Sequence, residues 1–128
     1  AGRGPRTLMK IVAKFRRAMT LLRSDEAEHL RRSLPASYPF WLVFLVAAYY
    51  RLEPSHLDEF VRGRGPLYDL MRAPSSVSVH RWGDGPMYEF CSFSFEFASR
   101  TEDRVQVPDA GVLFALAQVL RENAIPRE

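Results

Sequence analysis

The residues of this 128-residue chain able to do chemistry are three histidines, one cysteine and a scatter of serines and carboxylates, and their spacing decides what they can do. His29, His56 and His80 form no H-x₃-H pair, and none stands at metal-ligand distance from Cys91 along the chain. The two-plus-two clusters that hold zinc are missing, so no metal and no cofactor is expected. His56 falls in the first turn of a helix, where a structural or solvent-exposed role is the default, and His80 would face solvent. Cys91 lies between Phe90 and Phe93, the setting of an inert buried thiol rather than a nucleophile.

The serines belong to no G-x-S-x-G elbow. Asp58, Glu59 and Asp69 sit on polar helix surfaces. Gly63-Arg64-Gly65 and Gly83-Asp84-Gly85 are too short to cradle phosphate in the P-loop or dinucleotide manner. Arg62 to Gly65, with Gly2-Arg3-Gly4, resembles short arginine-glycine RNA-binding tracts, but Gly63 reads better as a helix terminator. Arg81, His80 and Glu89 are the polar groups best placed to line a pocket, and Tyr88 and Phe90 with Arg81 would make a stacking surface for single-stranded RNA. The expectation is a protein that is not an enzyme, with no small-molecule substrate.

The strongest chemical signal is charge. Residues 1–23 hold seven cations (Arg3, Arg6, Lys10, Lys14, Arg16, Arg17 and Arg23) and no acidic residue. The remaining 105 residues carry eleven basic and fifteen acidic side chains, a formal −4, so the net +3 belongs to one end. Such a segment attracts anionic lipid, RNA or an acidic protein surface. These seven residues are the candidate contact residues. No apolar stretch of signal-peptide type follows the first positive charges. The single cysteine excludes an internal disulfide and points to an intracellular, reducing compartment. The Arg-rich, acid-poor start also fits an organellar segment, and a mitochondrial setting follows from that.

The elements that must position these residues follow from periodicity. Ala1 to Arg6 reads as an extended arm. Leu8, Ile11, Val12, Phe15, Met19 and Leu22 then share one helical face. Ser24 begins a second helix as its cap, with Asp25, Glu26 and Glu28 at the positive end and Arg31 and Arg32 at the other. The most apolar run, Tyr38 to Leu52, shows no two-residue alternation. It reads as a helix over about 39–51, buried on all sides, with Pro39 at its start and Pro54 blocking its continuation. Its aromatic ends resemble a membrane belt, but a spanning helix needs about 20 apolar residues and the run is shorter.

Ser55 opens a further helix with capping-box spacing to Asp58. A short helix follows Pro66. Beyond Pro74 the character changes. Gly83 to Pro86 signals a turn, and Met87 to Ser99 alternates, with Cys91, Phe93, Phe95 and Phe97 on one side. The alternation predicts a β-hairpin over about 75–99, and 105–107 allows a third strand. Asp109 caps a last helix over about 110–123. The expected fold is therefore α+β: four or five helices around a buried apolar helix, a hairpin and a C-terminal helix. Residues 1–23 form a basic arm and amphipathic helix, and 24–128 one compact domain.

A domain of this size hides only part of its surface, and nine Phe, five Tyr and two Trp exceed what it easily buries. The reading is a non-catalytic accessory or scaffolding subunit of a larger assembly, held through its basic helix and aromatic surfaces by other protein subunits. A mitochondrial membrane complex is a fitting setting. The alternative is an RNA-associated protein such as an organellar ribosomal component, and a small enzyme or ligand binder with an unrecognised site ranks below both.

Overall fold

Seven apolar side chains in one uninterrupted block, Phe40 to Val46, wind into helix α3 (Tyr38–Arg51), and the other helices gather around it. The structure is a computed structural model and describes residues 5–72, 92 and 107–126. Helix α1 (Pro5–Leu22) leads through a single 3₁₀ turn (Asp25–Ala27) into the short α2 (Glu28–Ser33). Helices α4 (Pro54–Val61), α5 (Gly65–Arg72) and α6 (Ala110–Glu122) complete the described elements. Helix α3 touches α1, α4 and α6, while α6 also packs on α1 and α4.

The described fold is all-helical, and this corrects the α+β expectation: among the described residues there is no strand. The hairpin assigned to 75–99 lies outside the described residues except at Ser92, and Ser92 is helical. Of the proposed third strand, 105–107, only Val107 is described, and it is irregular, packing against the core. The reason lies in a double periodicity. Met87, Phe90, Phe93 and Phe97 are spaced by three and four residues, so the same stretch that alternates also satisfies the helical period. Phenylalanine and serine at every second place do not exclude a helix.

The centre of the core is aromatic. Trp41 is fully buried and meets Phe40 edge-on at 5.0 Å, Phe44 at 5.6 Å and Phe60 of α4 at 6.4 Å between ring centroids. Tyr68 of α5 extends the cluster to 6.1 Å from Phe60. Edge and tilted arrangements of this kind add to the area term. The same core cluster holds Ala18, Met19 and Leu22 of α1 and Leu113, Leu116 and Val119 of α6. Helix α3 is not enclosed on every side, however. Val43 and Tyr49 remain exposed, so the unbroken apolar run reaches the surface as well as the core.

Prolines and left-handed residues set the helix ends. Pro39 occupies the second position of α3 and Pro54 the first of α4, where the missing N–H has no intrahelical partner to lose. Helix α4 therefore starts one residue before Ser55, with Glu53 in the cap position, and Ser55 makes no cap. Its end is a full Schellman motif. The Arg64 N–H donates to the Glu59 carbonyl at 2.9 Å and the Gly63 N–H to the Phe60 carbonyl at 3.0 Å. Gly63 sits at φ +72°, and a Cβ there would stand 2.9 Å from the Cβ of Ala110 at the start of α6. Gly63→Ala is expected to cost about 2 kcal/mol, from left-handed strain plus the displaced α6. An unfolding free energy from urea titration within about 0.5 kcal/mol of wild type would contradict this account. Asn123 ends α6 with the simpler left-handed motif at φ +49°, its N–H alone donating to the Val119 carbonyl at 3.0 Å.

Candidate functional site: the uncovered half of helix α1

The amphipathic character of α1 is periodic from end to end, but its environment is not. Over the second half, Ala18 (2% exposed) and Leu22 (0%) are sealed into the core, with Met19 beside them. Over the first half the same helix runs uncovered: Leu8 is 63% exposed, Met9 70% and Val12 40%. Ile11 and Phe15 lie between the two regimes, half-buried against the core. Leu8 and Val12 are one turn apart, and Met9, Val12 and Arg16 follow at three- and four-residue steps, so these side chains lie along one side.

The basic residues frame that side. Arg6, Lys10, Arg16, Arg17 and Arg23 are exposed, and Lys14 is half-buried with its ammonium 4.3 Å from the centre of the Tyr49 ring. Arg3 lies outside the described residues. Thus six of the seven candidate contact residues are placed on or just beyond α1. Among the described residues, the ion pairs are Arg32 with Glu28 and Arg62 with Asp58, each one turn apart on its own helix. No cation of α1 belongs to either. Their charge is therefore spent on nothing inside the described fold, while Lys14 braces α1 against α3 by its contact with an aromatic face.

What sequence reasoning missed here is Arg31. The sequence puts it at the end of α2, answering the helix dipole, but its guanidinium reaches back. One nitrogen donates to the Leu22 carbonyl at 2.6 Å and the Ser24 carbonyl at 2.5 Å, closing the open C-terminal end of α1. Ser24 in turn does not cap the next helix: its hydroxyl donates to the Leu21 carbonyl at 2.6 Å. The anchored half of α1 is thus fastened at its end by packing and by side-chain hydrogen bonds together. A basic residue nine positions beyond a helix end carries no sequence signal for such a contact.

Two further concavities are bordered by described residues. One, of about 540 Å³, lies between the end of α4 and the start of α6, beside Arg62, Arg64 and Phe114. Arg62 is already turned to Asp58, its Nε donating to Oδ2 at 3.0 Å, with the guanidinium 5.6 Å from the Phe114 ring centre. Another, of about 730 Å³, is bordered by Tyr49, Leu52, Asp58 and Arg121. Among the described residues no three His, Cys, Asp or Glu side chains stand close enough to hold a metal ion. His29 lies at the surface with Nε2 3.3 Å from the Pro126 carbonyl oxygen, and His56 is half-buried on α4. His80, Arg81, Tyr88, Glu89, Phe90 and Cys91 lie outside the described residues.

Two length scales limit what the helices can do at a membrane. At 1.5 Å per residue the fourteen-residue α3 is about 21 Å long, short of the roughly 30 Å of a hydrocarbon layer. No helix among the described residues is long and apolar enough to cross a membrane. Compared with family models, curated proteins and solved structures, the chain matches none.

Proposed function

We propose that this protein is a non-catalytic accessory subunit of a larger assembly, attached through helix α1 and its neighbouring aromatic surface. The observation that carries the reading is the exposure of Leu8, Met9 and Val12 on a helix whose cations have no ion-pair partner among the described residues. Exposed apolar side chains in a row, framed by charge, mark a surface made for contact. Tyr49 and Val43 of α3 add further exposed apolar area. A membrane-associated complex of an organelle such as the mitochondrion suits a surface that is basic and apolar together.

RNA is the second reading, and the unpaired cations favour it. The apolar row does not, because phosphate contacts need charge alone, and the formal −4 of residues 24–128 opposes it.

The test is the mass at which the native protein travels in a gently prepared extract. A particle many times larger than 14.7 kDa is expected. Replacing Leu8, Met9 and Val12 together by Ser should release most of the protein to the free fraction, with its helicity intact. A native protein that sediments as a free monomer would end this reading.

A further inference from the structure

Building on that reading of α1, we infer that its uncovered half lies flat on an anionic lipid surface, with Leu8, Met9 and Val12 below the headgroups and Arg6, Lys10 and Arg16 among them. Three features of the helix lead there. The exposed apolar side chains are few, and a helical segment from Pro5 to Val12 is only about 12 Å long. A stable protein interface buries on the order of 800 Å² per partner, so a protein partner would have to reach the exposed Val43 and Tyr49 of α3 as well, and the α1 row by itself falls well short. A lipid surface needs no such area, since shallow insertion and diffuse charge act together.

The charge also suits lipid. Residues 1–23 include no acidic side chain, so every contact with a negative leaflet is attractive, whatever the rotation of the helix. Arg16 follows Val12 by four residues, and its long apolar stem can lie along the inserted side while the guanidinium rises to the phosphates. Finally, the helix is already formed. Its second half is held in the core by Ala18, Met19 and Leu22, and its end is closed by Arg31. The uncovered half therefore does not pay the ordering entropy that a disordered basic tail pays on binding.

The experiment uses the full chain and phosphatidylcholine vesicles with and without phosphatidylglycerol, read by co-sedimentation at low salt. Two variants are compared: Arg6→Gln/Lys10→Gln/Arg16→Gln, and Leu8→Ser/Met9→Ser/Val12→Ser. All six side chains are exposed, so both variants should melt as wild type does by circular dichroism. Binding to the anionic vesicles is expected, with little to the neutral ones. Each lost cation should weaken it about fivefold, and the triple serine change at least about tenfold. High salt should weaken wild-type binding strongly.

No binding to anionic vesicles overturns the proposal. So does a serine variant that binds as wild type, which would reduce the contact to adsorption by charge. Binding of poly(U) in preference to vesicles would also overturn it, in favour of RNA. The accessory-subunit reading fails separately. A protein that binds no vesicle but travels in a large native particle loses only the lipid surface, and one that binds vesicles but is otherwise a free monomer loses only the assembly.

Discussion

Trp41→Ala is expected to remove about 3–5 kcal/mol of folding stability, the range for deleting a large buried aromatic side chain. Trp41 is completely enclosed, and three aromatic rings from two helices lie against it. Its loss opens a hole where α3 meets α4, and the rings of Phe44 and Phe60, 5.3 Å apart, cannot both turn into it without leaving their own contacts. A domain of this size is stable by about 5–15 kcal/mol in total, so the variant should lose more than about 10 °C of melting temperature. Chemical denaturation followed by helical circular dichroism measures it. A loss below about 1 kcal/mol would show that this cluster is not the centre of the core.

The same residue carries an anomaly that refines the test. The indole Nε1 is buried with no hydrogen-bond partner among the described residues. A buried, unsatisfied donor costs about 1–3 kcal/mol. Trp41→Phe removes that donor while keeping an aromatic ring, so it should cost far less than Trp41→Ala, despite the smaller volume.

Arg31→Ala should cost about 2 kcal/mol, out of proportion to a single basic residue of a six-residue helix. Hydrogen bonds from a charged donor contribute about 1.5–3 kcal/mol, and here one guanidinium answers two carbonyls at the end of α1. Removing it takes the side-chain donor from the Leu22 oxygen, while the Ser24 oxygen keeps the Ala27 N–H at 3.1 Å. Arg31→Lys should recover only part of the loss, because its shorter, flexible stem must bring one ammonium to the same two carbonyls. The neighbour supplies the control. Arg32 pairs with Glu28 at 2.9 Å, but both side chains are largely in water, so Arg32→Ala should cost under about 0.5 kcal/mol. Urea unfolding of the three variants reads the series. Equal small losses for Arg31 and Arg32 would mean that the closure of α1 contributes nothing. Since α1 holds the proposed contact surface, hydrogen exchange along α1 should quicken in Arg31→Ala before the rest of the fold is affected.

The parts of this architecture readable from residues alone are local ones. Proline and glycine act on their own backbone, so the stops at Pro54 and Gly63 are visible without neighbours. The 3.6-residue repeat of α1 and the absence of acid in residues 1–23 are likewise properties of the chain by itself. Where two local rules agreed with one stretch, the reading failed. Met87 to Ser99 satisfies both the two-residue and the helical period, and the helical Ser92 contradicts the alternating one. Periodicity measures which side chains share a face, and a Phe-rich run leaves that undecided when nearly every apolar position is aromatic.

What the amino acids alone determined is the helical repeat, its main interruptions and the excess of positive over negative charge at one end, because each is a matter of residue type and short spacing. The tertiary structure alone decided which length of α1 is covered. Leu8 and Leu22 are the same residue on the same stripe, yet one is 63% exposed and the other 0%. Leu22 joins the core cluster with side chains of α3 and α6 and Leu8 does not, and burial depends on such neighbours distant in sequence. The long reach of Arg31 and the unpaired indole of Trp41 belong to the same class, since each depends on groups that only packing brings together.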